Sequence, residues 1–511
     1  MEEARGHGAA LYSTAGPNPC VPCQKPGPAW GLARDRRARV LPQGMRVLAW
    51  LGCLGVACGG HGGKPAHDDA AVHHDASTTA LEVPARPLGL PELASYLWRK
   101  RGGQPAFRAA RKAENAEDWP AVVAACRQAL ASDPGHLEAS WLLAAALGKL
   151  GKLDQVFAPL ALAVAGDFGK WGQASLELPL LAPFLATAQG QAWQRRVDND
   201  RATYASAIAH AVVVHAAGDL FAVDPAGPRW YRLTRTFGAV IGALEVPDRI
   251  AFITRTKSHV SIGIADLTRG HSTPRPVDIG TTGPFSIAWA PAGKQLPAGF
   301  WIGVGAPTTA TWRVLDDDAK FHSVPGKATR PPGPWLEVSG RSTRLHRLPV
   351  VDVVADWDDK SLASAIRLAP TSRVISVPSP GLIDGNTLTW SPDHARLAFV
   401  AQLDEHCTPG AVSAAAFVVD PAAGAPRELE RASGGLAVEW FGDRLAIAGD
   451  HGVAIVELEG KRTPIDGATG LLATRRAPRC TPASALPDEA ISDEPDPESA
   501  VGDDATDAGV H

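Results

Sequence analysis

The clearest alternation of apolar and polar positions runs from Leu388 to Val400. Leu388 and Trp390 flank Thr389 at period two, Ser391-Pro392-Asp393-His394 carries turn chemistry, and Leu397, Phe399 and Val400 resume an apolar run. That order predicts a strand, a turn and a strand. The pattern returns at Ser286 to Gly293 and at Ala437 to Ile447, and more faintly at Ala243 to Ile253. The copies lie about 45 to 50 residues apart, with one double-length interval, a period that marks propeller blades or solenoid turns.

A second set of strands recurs inside each period. Val212-Val213-Val214 opens the β half, and Asp219 to Asp224 turns at Asp224-Pro225 and returns at Arg229 to Leu233. Similar strands follow at Ile264 to Leu267, Ala416 to Pro421 and Val453 to Leu458. Starts near Ala207, Val240, Ser286, Trp335, Leu388 and Ala437 predict about six blades, within the usual four to eight. The stretch from Ala310 to Pro370 is the least regular: Arg330-Pro331-Pro332-Gly333-Pro334 interrupts any strand, and Asp356-Trp357-Asp358 is a candidate further turn. Trp289, Trp390 and Trp440 are expected to pack between blades, with the aspartates capping turns.

Between Pro91 and Ala209 the period is helical. Leu93, Tyr96 and Leu97 share a face, and from Ala106 the chain reads as paired helices rich in Ala and Leu. Ala110, Cys126 and Ala129 followed by Asp133-Pro134, then Ala144, Leu160 and Ala163 with Gly151 between helices, repeat at about 34 residues. Over residues 103–168 this resembles the tetratricopeptide family. It departs from that family at Ala106, where Trp is usual, and at Val122 and Val156, where Ala is usual and a larger side chain would widen the helix crossing. The resemblance implies a groove for a partner's peptide or helix; a helical spacer packed on the β half is the alternative. Cys126 is expected inside this core.

Trp390-Ser391-Pro392-Asp393 followed by Arg396-Leu397-Ala398-Phe399 resembles the WD-like repeat of TolB-type propellers, over about half of the chain. The fold class is therefore α+β multidomain, with tetratricopeptide-like helices followed by an all-β propeller. The change of period predicts that a chain lacking residues 59–205 still folds as a β protein.

Composition and the ends of the chain add an address. Met45-Arg46 followed by an apolar run to Val56-Ala57-Cys58 has the layout of a secretory signal and is too short to span a bilayer. Its end resembles a bacterial lipobox, which implies lipidation of Cys58, although Gly55 holds the place where Leu is preferred. Residues 1–44 read as an extension or a misassigned start, with Cys20 and Cys23 incidental. Residues 59–88, rich in Gly, His and Asp, read as a flexible tether rather than a metal site. Residues 89–208 form the helical domain, 209–477 the propeller and 478–511 an acidic tail without Lys or Arg after Arg479. Cys407 and Cys480 are candidates for a disulfide in an exported chain.

The net charge of −4 and scattered basic residues point away from a nucleic-acid partner. No Gly-x-Ser-x-Gly elbow, His-Glu-x-x-His pair, phosphate loop or paired Cys-x-x-Cys spacing occurs in the folded part. His215, His259, His346 and His451 are the titratable candidates for channel chemistry, and none has a sequence neighbour that would orient it. The strands expected to line the channel, Ile287-Ala288, Leu388-Thr389 and Ala437-Val438, carry few polar groups. These features favour a non-enzymatic protein-binding scaffold in the bacterial cell envelope, without catalytic residues, cofactor or metal, anchored through Cys58 and meeting other envelope proteins. A channel-site enzyme or a small-ligand sensor is the alternative.

Overall fold

The computed structural model describes residues 86–472 apart from positions 228, 237, 247, 257–258, 268–270, 273–275, 282, 306–309, 327, 341, 347–352, 359–362, 369–372, 377–380, 404–411 and 423. Cys58, Cys407 and Cys480 lie outside the described residues, as do the signal-like stretch, the tether up to residue 85 and the acidic tail.

Four antiparallel helices come first: α1 (Gln104–Asn115), α2 (Trp119–Ser132), α3 (Leu137–Lys149) and α4 (Phe157–Gly166). Asp118 caps α2 by accepting the Ala121 N–H, and His136 caps α3 by accepting the Ala139 N–H at its Nδ1. Gly151 takes φ +69° where the chain leaves α3, a conformation that suits a residue without Cβ. Ala110, Val122, Cys126, Ala129, Ala144, Val156, Leu160 and Ala163 are all fully buried between these helices. Three short turns, α5 (Phe168–Trp171), α6 (Ala174–Glu177) and α7 (Ala182–Leu185), lead into the long α8 (Ala188–Ala209). No described helix is long and apolar enough to cross a membrane.

Among the described residues the strands form six antiparallel sheets. Sheet one contains β1 (Val212–Ala216), β2 (Asp219–Asp224) and β3 (Arg229–Arg232). Sheet two contains β4 (Val240–Val246), β5 (Arg249–Arg255) and β6 (Val260–Asp266), with β7 (His271–Ser272) and β8 (Val277–Asp278) both paired to β6. Sheet three contains β9 (Phe285–Ala290), β10 (Gly299–Val304), β11 (Thr311–Leu315) and β12 (Phe321–Ser323), joined by the hairpin β13 (Trp335–Ser339) and β14 (Ser342–His346). Sheet four contains β15 (Val353–Asp358), β16 (Ala363–Leu368) and β17 (Arg373–Ser376). Sheet five contains β18 (Leu382–Ile383), β19 (Thr389–Trp390), β20 (Leu397–Gln402), β21 (Ala414–Val419) and β22 (Arg427–Ala432). Sheet six contains β23 (Ala437–Phe441), β24 (Arg444–Gly449), β25 (Gly452–Val456) and β26 (Arg462–Ile465). The last strand, β27 (Ala468–Leu471), does not extend sheet six. It returns to sheet one and pairs with β1, placing Val214 opposite Leu471.

The strands are Val-, Ile- and Ala-rich because both faces are covered, so their burial is near-continuous rather than alternating. Apolar clusters join sheet two to three, four to five, five to six and six to one. A succession of small antiparallel sheets in which the final strand completes the first is propeller-like.

One expectation is corrected. Trp335 does not open a sheet: β13 pairs with β9, and β15 to β17 form a separate sheet after it. The Arg330–Pro334 interruption ends one excursion of the chain, and the alternation of Leu336 and Val338 beyond it supplies a strand for the open edge of β9. The helices and sheets share apolar packing. One apolar cluster runs from Ala110, Leu147 and Trp193 in the helices to Leu220, Tyr231 and Phe252 in sheets one and two. Burial removes roughly 25 cal/mol per Å2 of apolar surface from water, so a cluster this continuous couples the two layers energetically. Sequence periodicity could not show it, because each layer's own period is satisfied whichever surface lies opposite.

Polar contacts fix the junction. Asp167, just after α4, makes a buried ion pair with Arg235, whose Nε donates to Asp167 Oδ2 at 3.1 Å. Beneath it Arg232 pairs with Asp219 at 2.7 Å, and Thr234 and Thr236 donate their hydroxyls to Asp219 Oδ1 at 2.9 and 2.8 Å. Residues 88–97 form a strap across sheet one. Leu88 is buried, the Leu90 N–H donates to Trp230 O at 3.0 Å, and the Trp230 N–H donates back to Leu90 O at 2.8 Å. Tyr96 is buried in the cluster between sheets one and six, with its hydroxyl 2.7 Å from both Gly166 O and Trp230 O.

Candidate functional site

Edge strands of several sheets converge on a cavity of about 640 Å3. Sheet two contributes Leu244, Glu245 and Val246 from the end of β4; sheet five contributes Thr389; sheet six contributes Glu439 and Trp440. Leu472, directly after β27, and Leu345 of β14 add further wall, and Ile208 and Ala209 at the end of α8 lie across one side. Contributions from this many edge strands place the cavity on the axis of the sheet succession.

The hairpin β13–β14 sits on the same axis. It occupies the edge of β9 and reaches β4, where the Thr343 hydroxyl donates to Ile241 O at 3.2 Å. Gly242 permits this approach, because a Cβ there would lie 2.6 Å from Thr343 Cγ2. Ile287-Ala288, expected to line the channel, are instead covered by Leu336 and Trp335 in register. Thr389 does line the cavity, whereas Leu388, Ala437 and Val438 are buried within the sheets.

Chemically the cavity is an apolar bowl with an acidic rim. Glu245 and Asp248 are exposed and Glu439 is half-buried. The expectation of few polar groups failed at the strand ends: Glu439 lies one residue beyond Ala437-Val438, and Glu245 lies on β4, a strand that expectation did not include. The lining holds no His, Cys, Ser or Lys; its polar side chains are three carboxylates, which accept, and the Thr389 hydroxyl, which can donate or accept. Trp440 stiffens the wall by donating its indole N–H to Thr389 O at 2.9 Å, a bond from sheet six to sheet five.

The repeated motif residues lie in turns and between strands. Ser391 is buried; its hydroxyl lies 2.5 Å from Asp393 Oδ1 and accepts the Arg396 N–H at 2.9 Å. Pro392 follows, and His394 takes φ 57° at the turn's end. The Ser391 hydroxyl and then the Ala395 N–H hold the Asp393 carboxyl below its usual range. Trp390 lies nearly parallel to His394, 6.1 Å away. Trp289 stands edge-on to Phe300 at 4.9 Å and meets the Arg249 guanidinium of sheet two at 5.1 Å.

The histidines differ from the sequence reading, in which none had an orienting group. His259 Nδ1 lies 3.0 Å from Asp278 Oδ2, and His346 Nε2 lies 3.0 Å from Glu337 Oε2 while its ring stacks on Trp335 at 3.7 Å. These partners are distant in sequence and adjacent across strand pairs, so assigning the β13–β14 register would have found the second. Burial pushes the imidazoles of His215 and His346 down. His451 is exposed. A further pair, His322 Nε2 to Asp316 Oδ2 at 2.6 Å, had no sequence signal beyond its turn. The four candidates sit in or beside sheets one, two, three and six, and none lines the axial cavity. Among the described residues no group of three or more His, Cys, Asp or Glu is placed to hold a metal ion. Cys126 is fully buried, and burial pushes its thiol up to about 12.

A second concavity, about 610 Å3, lies under the strap between sheets one and six. Leu93 and Leu97 form one wall, Val223 and Trp230 the floor, and the turn from Thr463 to Gly467 the other wall.

No protein-family model matches this chain, and no curated protein does. Solved structures do. A putative 6-phosphogluconolactonase from Bacteroides fragilis shares 12% identity, with a TM-score of 0.27 over 53% of this chain and 96% of that one. TolB from Acinetobacter baumannii shares 12% identity, with a TM-score of 0.23 over 49% of this chain, and the match spans 61% of TolB. The AtxE2 isopeptidase shares 10% identity, with a TM-score of 0.29 over 51% of each chain.

Proposed function

We propose that this protein is a non-enzymatic binding scaffold of the bacterial cell envelope whose axial cavity receives an apolar segment of a partner protein. The observation that carries this reading is the cavity itself, an apolar bowl walled by strand ends from several sheets and by α8. Rigid walls reduce the ordering cost of binding, and burial of apolar side chains supplies the affinity. Fully buried Ala110, Val122, Cys126, Ala129, Ala144, Val156, Leu160 and Ala163 support tetratricopeptide-like packing of α1 to α4, whose exposed face is a second platform. Coupling two platforms on one body favours avidity. The lipobox-like run ending at Cys58 supports membrane anchoring, for which Cys58→Ala should move the protein to the soluble fraction.

The test is a photo-crosslinking amino acid at Thr389 in the native envelope, with an exposed control position, followed by mass spectrometry. One dominant protein captured from Thr389 and not from the control is expected; capture of the same proteins from both positions would overturn the reading. The size of the cavity favours one second reading, a small-ligand sensor, since small-molecule pockets span about 300 to 1,000 Å3. It would show as thermal stabilisation by a small envelope component without turnover.

A further inference from the structure

The groove under the strap has a chemistry of its own, and it is independent of the axial reading. Its floor is apolar: Val223, Trp230 and Ile465 are buried beneath it, with Leu93 and Leu97 half-buried along one wall. Its rim carries three carboxylates, Glu92, Asp224 and Asp466, and none of its lining residues is Lys, Arg or His. Pro91, Pro225 and Pro464 also stand in the lining. Each lacks an N–H and has a fixed φ, so the rim presents acceptors on stiff backbone and few donors. Two arginines adjoin the lining in sequence and both are already bonded; Arg229 stands opposite Asp224 in the strand register, which leaves Glu92 and Asp466 as the rim carboxylates available to a partner's cations. Arg229 donates to the carbonyls of Leu88 and Gly89 at 3.2 and 3.0 Å, and Arg462 pairs with Glu430 at 3.0 Å.

From this complementarity we infer that the strap groove docks an extended segment of a partner protein in which apolar side chains are flanked by lysine or arginine. The apolar side chains enter between Leu97 and Ile465, and the cations face Glu92 and Asp466 on the rim. Strand addition is not the mode. β26 is the outer strand of sheet six, but Pro464 in the middle of it breaks any new ladder, so side chains carry the recognition.

The probe is a fluorescein-labelled peptide of alternating leucine and lysine, with a leucine–glutamate peptide as control, followed by anisotropy on the full chain. The lysine peptide should bind and the glutamate peptide should not. Glu92→Gln with Asp466→Asn should weaken binding roughly three- to tenfold, the scale of two exposed charge pairs, and added salt should act in the same direction. Both replaced side chains are exposed, and Glu92 makes no side-chain capping bond, so the variant should melt as the parent does. Glu439→Gln in the axial cavity should leave the affinity unchanged. Equal binding of both peptides, a double variant that binds like the parent, or loss of binding on Glu439→Gln would each overturn the inference. Sedimentation showing a dimer that the double variant abolishes would also overturn it, by assigning the groove to a second copy.

Discussion

Two seams in this molecule do the same mechanical job by different chemistry. Between sheets five and six the contact is made by Ala398, Val400, Leu436, Val438 and Ile447, with the Trp440 indole bond at one end and Glu430–Arg462 at the periphery. Where the helices meet sheet one, apolar packing is threaded with buried polar groups: Arg235–Asp167, the Asp219 network and the shared contact of the Tyr96 hydroxyl. Small aliphatic side chains pack acceptably against many similar surfaces, whereas a buried ion pair is tolerable only against its own partner. Adjacent sheets are alike and held in order by the chain. The helical layer has no such constraint, and the polar contacts fix where it sits.

The largest expected effect breaks the comparison outright. If the junction is a shared core, removing residues 59–205 exposes Leu220, Tyr231 and Phe252, and the remaining β half should lose cooperative melting by calorimetry. A sharp transition would restore the two independent domains that the period change suggests. Next, Asp167→Ala leaves the Arg235 guanidinium buried without its carboxylate and should cost about 3–5 kcal/mol in urea unfolding. Arg235→Met with Asp167→Leu should recover most of that loss.

Smaller effects sharpen the contrast. Tyr96→Phe leaves two buried carbonyls without the hydroxyl and should cost about 1–2 kcal/mol. Burial first, then the nearby Asp167 charge, holds the Tyr96 phenol well above its ordinary range, and burial does the same for Tyr204. The unfolded chain releases these protons from about pH 10, before the folded one does, so stability falls as pH rises beyond that point. The fall should be shallower in Tyr96→Phe, read from urea midpoints across alkaline pH. Trp440→Phe at the other seam should cost about 1 kcal/mol or less, since the ring's packing survives and a partly exposed N–H bond is lost. A larger loss there than at Tyr96 would reverse the ranking of the seams.

Local pattern carried much of this fold and little of the site. The strand–turn–strand at Leu388 to Val400 and the strands at Asp219 to Leu233 read directly from period-two alternation and turn residues. The helices read from their apolar face, down to the burial of Ala110 and Leu160. Nothing local says that β13 pairs with β9, because an open strand edge has no side-chain signature. Glu245 and Glu439 look like ordinary solvent-facing residues of two distant strands, and only the succession of sheets brings both to one rim. The pairing of His346 with Glu337 spans nine positions and appears only when the hairpin register is known.

The return of β27 to sheet one has a consequence in time. On a ribosome the chain appears from its amino end at about 5–20 residues per second, and β27 emerges some 250 residues after β1, so sheet one waits roughly 13 to 50 seconds for its last strand. Through that interval the edge of β1 that β27 will cover, from Val214 to Ala216, has no ladder partner and is the place where a nascent chain would meet a chaperone or a second chain.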